Sequence, residues 1–349
     1  MSGTPYSTSA AVALDRVNKH YGATPALRDL SLSVERGEMF GLIGPDGAGK
    51  TTAIRLMCGL LRADSGAIRI LGLDPVREHR RLTDSVGYLS QRFSLYGDLS
   101  VDENIAFFAE IHGLRDDRPR RDRLLDMTQL APFRSRLADR LSGGMKQKLA
   151  LACTLIHEPD LILLDEPTTG VDPVSRREFW KLLSEFLAQG ITIVMATPYL
   201  DEAERCSRVA MLHQGGLLAL DRPDALRATL SGQVYEVIVS DHRRAAAILR
   251  QSPGVIDVQM FGDRAHVRLS ASNVESSQLR TEQAVATLTS LLTGAGLEVK
   301  GIRPIATSLE DVFIARVGRS LVSDTSDTSD TSDTSDTSDT SDTSRRPVL

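Results

Sequence analysis

Apolar positions follow two rhythms along this chain, and the change of rhythm divides it. Up to about residue 222 the clearest signals are short continuous apolar runs, MFGLI at 39–43, LILLD at 161–165 and IVMAT at 193–197. Runs of this length bounded by glycine, proline or acidic residues predict strands buried on both faces, as in a parallel sheet. Helical patterns stand beside them: AIRLMCGLL after Thr52, an amphipathic stretch opening at Ser142 ahead of the second run, and an acidic helix after Pro198. Past Arg222 the segments shorten and alternate: VYEVIV, a helix around HRRAAAILRQ, VIDVQM, RAHVRL, a helix across TEQAVATLTSLL, and LEVKGI. That β-α-β-β-α-β order predicts a small ferredoxin-like α+β domain, with LDRPDALRATLSG as its linker.

Composition narrows the class. The 349 residues leave room for two domains, each with its own core, and 41% hydrophobic with 25% charged residues is ordinary for a globular protein. The longest uncharged apolar runs, such as 191–200, fall well short of the roughly 18–20 residues needed to cross a bilayer. The opening MSGTPYSTSA has neither the basic start nor the apolar centre of a secretory signal and reads as a flexible arm. Cys58, Cys153 and Cys206 are odd in number, far apart and without CxxC spacing, so they read as buried thiols in a reducing cytosol.

The net charge of -5 belongs to the tail. From Ser323 the chain repeats Ser-Asp-Thr as far as Ser344, then ends in RRPVL; without its seven Asp and two Arg, the 46 acids and 41 bases become 39 of each. A formally neutral body gives no electrostatic reason to expect a nucleic-acid partner. The repeat has too little apolar surface to offset its ordering entropy, which predicts a disordered extension.

Candidate chemistry begins where the first apolar strand ends. GPDGAGKTT fits GxxxxGK[ST] over 44–51 and stands between a strand and a helix. Backbone N–H groups of Gly44, Pro45 to Gly49 (Asp46, Gly47 and Ala48 between them; Pro45 itself lacks the hydrogen), Lys50, Thr51 and Thr52 form the expected phosphate cradle at a helix N-terminus. Lys50 is placed to reach the β- and γ-phosphates, and Thr51 to ligate Mg²⁺. A second strand ends in Asp165 and Glu166 at the carboxyl edge of the sheet. Asp165 can hold Mg²⁺ through water, and Glu166 can act as general base on an attacking water. In LSGGMKQ, Ser142, Gly143 and Gly144 open another helix and make a second anion site, one more than a single nucleotide needs. It is expected to serve a nucleotide held by another subunit.

With LSGGMKQ and the phosphate loop together, the chain resembles the ATP-binding subunit of an ABC transporter over about 12–222. The resemblance implies an ABC nucleotide-binding domain at 11–222: an α/β P-loop NTPase fold with a RecA-like core, an antiparallel β subdomain and a helical subdomain at about 92–158. Flanking it are the arm at 1–10, a linker at 223–232, the ferredoxin-like accessory domain at 233–318 and the disordered tail at 319–349. The cofactors implied are ATP and Mg²⁺. Tyr21 stands where the family stacks an aromatic ring on adenine, although alone it reads as ordinary surface. Gln91 matches the glutamine that senses Mg²⁺ and the attacking water at the hinge to the helical subdomain, or is simply a polar loop residue. Gln147 belongs with the signature, and Asp172 matches the loop that contacts the opposite subunit, or caps the helix beginning at Pro173.

The segments QRFSLYGDLSVDENI and YLDEAERC, with the stretch from the signature to Asp172, resemble exporters of the type-2 multidrug class. This implies an ATPase at the cytoplasmic face of the membrane that powers export of a drug-like or lipophilic substrate through separate membrane-spanning subunits docked near Gln91. Two ATP molecules would be sandwiched with a second ATP-binding subunit, either this same chain or a partner ATPase. Two other readings compete: a slow or regulatory ATP-binding partner, and a soluble ABC protein acting on ribosomes or DNA, which would usually carry two cassettes or a long coiled-coil insertion. Pro198 keeps the slow reading open, because the family pattern places a histidine there to hydrogen-bond toward the γ-phosphate. Locally Thr197 is expected to cap a helix with Pro198 at its first position and Asp201 and Glu202 near its positive end. His266, alone in an alternating strand, reads as a structural histidine rather than a metal ligand.

Overall fold

The computed structural model describes residues 10–91, 95–270 and 277–326. The expected arm over 1–9 and the repeat from 327 lie outside these residues, as do Arg92, Phe93 and Ser94 of the segment after Gln91.

The three apolar runs are neighbours in one six-stranded sheet, ordered Val86–Leu89, Leu161–Asp165, Thr192–Thr197, Met39–Ile43, Arg208–His213 and Gly216–Asp221. The first five strands are parallel and the last is antiparallel. Their continuous hydrophobicity follows from burial on both faces. Met39, Ile43, Ile162, Leu164, Ile193 and Met195 belong to one core, with the helices Gly143–Leu155 and Pro173–Ala188. Phe40, Leu42, Leu161, Leu163, Val194 and Ala196 belong to a second, with the helix Lys50–Met57 and the antiparallel sheet of Thr24–Glu35, Ala10–Tyr21 and Ser65–Ile70. The helices Val101–Ile111 and Arg118–Met127 pack with Gly143–Leu155 as the helical part. Parallel strands bring their carboxyl ends, and the loops that follow, to one edge.

Beyond this body, Gln233–Val239, Val255–Phe261, Arg264–Leu269 and Val299–Ile305 form an antiparallel sheet in which the first strand lies between the third and fourth. With the helices His242–Arg250 and Ser277–Gly294 this is the ferredoxin-like arrangement. Two features differ from the expected layout. The segment 223–232 contains the helix Pro223–Ala228, whose Leu226 is 2% exposed and joins the first core, because a proline at the helix start and a leucine toward the sheet favour docking over free linkage. The final helix, Leu309–Ser326, continues past residue 318 into the first repeat and inserts Leu309 and Val312 into that same core. His266 Nδ1 lies 3.1 Å from Asp311 Oδ1, and Asp311 also accepts from the Ser308 hydroxyl, so His266 helps to hold the start of this helix.

Candidate nucleotide-binding site

The phosphate loop leaves the sheet at Ile43 and returns as the helix beginning at Lys50. Two of its glycines are required by close approach. A β-carbon on Gly44 would meet Leu212 O at 2.3 Å, and one on Gly49, whose φ is +101°, would meet Ala26 O at 2.5 Å. Lys50 is 4% exposed, and its Nζ donates to Gly44 O at 2.9 Å and Pro45 O at 3.1 Å. The same Nζ lies 3.5 Å from Glu166 Oε1. Thr51 Oγ1 donates to Asp165 Oδ1 at 2.9 Å, and Gln91 Nε2 donates to Glu166 Oε2 at 2.9 Å. Residues from three separate parts of the chain therefore meet at the carboxyl edge of the sheet.

Burial, with the neighbouring Glu166 charge as a smaller cause, pushes the Asp165 carboxyl above the usual carboxylate range, and the Thr51 hydrogen bond works against that shift. Glu166 has φ +51°, a costly backbone conformation for a residue with a β-carbon, and its N–H donates to Ala196 O at 2.9 Å.

An open cleft of about 630 Å³ collects the expected nucleotide residues. Tyr21, the loop residues Asp46 to Thr52, Gln91 and Glu166 line it, and so does Pro198. Tyr21 is half exposed where it lines the cleft, and an aromatic ring there suits a flat ligand. Gly44, Pro45 and Asp165 do not line the cleft: the carbonyls of Gly44 and of the exposed Pro45 hold Lys50, and the buried Asp165 accepts from Thr51.

The signature residues do not line the cleft. Ser142 caps the helix Gly143–Leu155 by accepting from Met145 N, Gly143 and Ser142 are exposed, and Gln147 is half-buried. Asp172 Oδ1 accepts from Val174 N and Ser175 N at 3.0 Å each, so the local capping role is satisfied. Gly144 ties the two regions together, since a β-carbon there would meet Ser175 Oγ at 2.2 Å. Two surfaces, a cleft and a separate signature face, are thus presented by one chain.

The helix after Pro198 differs from the expected form. It spans Leu200–Ala203, with Tyr199 at its N-cap and no side-chain cap, so Pro198 precedes the helix instead of opening it. Thr197 Oγ1 accepts from Tyr199 N at 3.1 Å and donates to Glu202 Oε2 at 2.7 Å. The hydroxyl closes a turn at the strand end, where a buried carboxylate competes for it. Sequence reasoning missed Thr169, whose hydroxyl reaches Glu166 Oε2 at 3.4 Å, and Tyr199, which lines the cleft. For Thr169 the signal was its place three residues beyond Glu166.

The family model for ABC transporters matches residues 27–169. The daunorubicin resistance ATP-binding protein DrrA2 of Streptomyces coeruleorubidus is 34% identical over 311 residues, covering 88% of this chain and 95% of its own. The chain belongs to the ABC transporter ATP-binding subunits. It carries an ABC-type ATPase domain that binds ATP. The Nod factor export ATP-binding protein I of Rhizobium sp. (strain N33) is 35% identical, covering 90% of this chain and 99% of its own. The probable multidrug ABC transporter ATP-binding protein YbhF of Escherichia coli (strain K12) is 42% identical over 260 residues, but this chain spans only 45% of its length. Among solved structures, an ATP binding subunit of an ABC transporter superposes with a TM-score of 0.58 at 32% identity, over 63% of this chain and 92% of that one. The dimeric structure of MJ0796, a bacterial ABC transporter cassette, gives 0.54 at 26% identity, over 60% and 98%.

Proposed function

We propose that this subunit hydrolyses ATP to power export of a drug-like or lipophilic substrate through separate membrane-spanning subunits. The observation that carries the hydrolytic part is the meeting of Lys50, Glu166 and Gln91 in one cleft, with Lys50 Nζ 3.5 Å from one carboxylate oxygen and Gln91 Nε2 2.9 Å from the other. Lys50, now held by loop carbonyls and Glu166, turns toward the β- and γ-phosphates when ATP enters. Glu166 then takes the proton of the attacking water, and Gln91 orients that carboxylate. Tyr21 stacks on the base.

A hydroxyl, a buried carboxylate and an amide, all oxygen donors, suit Mg²⁺, which is commonly held by one or two protein oxygens together with substrate phosphates. Thr51, Asp165 and Gln91 would hold it, and the bound ion would neutralise phosphate charge. The donor chemistry fits, because Asp165 is a carboxyl buried in the free chain with Thr51 as its bonded partner.

The face that exposes Ser142, Gly143 and Asp172, with Gln147 half-buried and Gly144 packed beneath, would meet the nucleotide of a second ATP-binding subunit. Dimerisation is supported by the dimeric cassette whose fold this chain shares. Export is supported by relatives named for daunorubicin resistance, multidrug transport and Nod factor export. No described helix is long and apolar enough to cross a membrane, and we assign passage to separate subunits and this chain to a peripheral place beside them, with no nucleic-acid partner.

One observation favours a second reading. Pro198 lines the cleft with no side-chain donor, so this chain's own site would turn over slowly, and an asymmetric pairing would supply a faster one. The central assignment is tested by two variants. Lys50→Ala should abolish ATP binding, whereas Glu166→Gln should keep binding and stop turnover; a Gln variant that hydrolyses at the parent rate would remove Glu166 as the base.

A further inference from the structure

Glu202 occupies the first turn of the Leu200–Ala203 helix, yet it is 1% exposed and does not act as a surface charge at a helix end. Thr168 Oγ1 donates to its Oε1 at 2.5 Å, and Thr197 Oγ1 donates to its Oε2 at 2.7 Å. Both threonines are fully buried. Thr168 lies two residues after Glu166, and Thr197 immediately precedes Pro198. One carboxylate therefore joins the loop that carries Glu166 to the strand end that faces the cleft.

Glu166 needs such a tie. Its left-handed backbone persists only where the surroundings over-determine it. The bond from its N–H to Ala196 O ties the loop to the end of the strand Thr192–Thr197, and the Thr168–Glu202–Thr197 bridge ties it to the same strand end a second time. A further arm reaches outward. Arg176 Nε is buried, has no hydrogen-bond partner among the described residues and lies 3.7 Å from Glu202 Oε1, while its guanidinium covers the Tyr199 ring at 4.8 Å. Arg176 stands on the helix capped by Asp172, whose Ser175 abuts Gly144 of the signature.

We propose that Glu202 is a positioning residue for ATP hydrolysis, clamping the Glu166 loop to Thr197 through two threonine hydroxyls and tying that clamp to the Asp172 helix through Arg176. The proposal rests on the assignment of Glu166 as the base. No atom of Glu202 enters the cleft; it acts by holding the Glu166 carboxylate where an attacking water can use it.

The test compares full-length parent, Glu202→Gln, Thr168→Val, Thr168→Ser and Glu166→Gln by calorimetric titration with ATP and Mg²⁺ and by steady-state ATPase. Glu202→Gln and Thr168→Val should bind ATP within about twofold of the parent while kcat falls about tenfold or more, since small misplacements of a catalytic group carry costs of that order. Thr168→Ser keeps the hydroxyl and should restore the parent rate. The double variant Glu202→Gln/Thr168→Val should fall no further than its slower single, because both break one bridge. A Glu202→Gln chain with parental kcat would overturn the proposal, and so would one that loses ATP binding and turnover together, which marks a general structural role. Inactive Glu166→Gln beside fully active Glu202→Gln would sink the clamp alone; active Glu166→Gln would remove the base assignment and the clamp with it.

Discussion

Pro198 faces the cleft from the end of the strand Thr192–Thr197 with a ring that can neither donate nor accept. The Glu166 carboxylate accepts hydrogen bonds from Gln91 and Thr169 instead, both at Oε2. Loss of one group that stabilises a transition state costs about 10² to 10⁴ in rate. Pro198→His should accordingly raise the steady-state ATPase of the purified chain by about tenfold or more, and a parent already as fast as the variant would end the slow-site reading. Asp165 makes a prediction of opposite kind. Burial raises its carboxyl in the folded chain, so the contribution to folding is fully present below the ordinary value of 3.8 and is lost as pH rises through the raised one. An ionised Asp165 would be a cost that a cation held there, as proposed, would relieve. Asp165→Asn should raise the melting temperature of the nucleotide-free chain, by roughly 2–4 °C per kcal/mol relieved, and shrink the further rise produced by ATP with Mg²⁺. A lower melting temperature for the nucleotide-free Asn variant at pH 7 would contradict this.

Among elements, the parallel strands were legible because burial on both faces leaves an unbroken apolar run. The phosphate loop was legible because its chemistry is local, a turn between strand and helix. What lay beyond reach of the sequence is contact between distant segments. Glu202 reads as one of several acids opening a helix, and its two hydroxyl partners are 34 and 5 residues away; the same bridge draws Thr197 out of the helix cap expected for it. Gly144 is another instance. The signature motif marks it for a ligand, whereas the structure also presses it against Ser175 of the helix Pro173–Ala188. Gly144→Ala should drive those helices apart at about 1–3 kcal/mol, the usual range for overpacking. Loss of ATP-induced dimer in analytical ultracentrifugation, with ATP binding to the monomer retained, is the expected result. Ser175→Gly in the same chain should recover much of the dimer, and a Gly144→Ala chain that dimerises like the parent would show the contact to be unimportant.

At the scale of the whole molecule, the ferredoxin-like part is not a separable appendage. Its own core, with Tyr235, Val237 and Leu249, is distinct, but the final helix returns to bury Leu309 and Val312 in the core that holds Met211 of the nucleotide domain and Leu226 of the linker helix. Phe313 meets His213 edge to face with ring centroids 6.1 Å apart. The helix also packs on Leu200–Ala203, the element that carries Glu202. A cut after residue 232 therefore opens a core instead of severing a linker. The side it opens matters: Ala53, Ile54 and Met57 behind the phosphate loop belong to the other core, so the phosphate cradle keeps its support. A chain ending at 232 should still bind ATP but melt lower than the full chain, and Leu309→Ala alone should cost about 2–5 kcal/mol if the site cannot collapse. A chain ending at Ser326 keeps every described contact and should melt with the parent. Differential scanning calorimetry of the three, with and without ATP, decides the point: a 1–232 chain that melts at the parent temperature would show that the final helix adds nothing to the nucleotide domain, and loss of ATP binding would show that both cores depend on it.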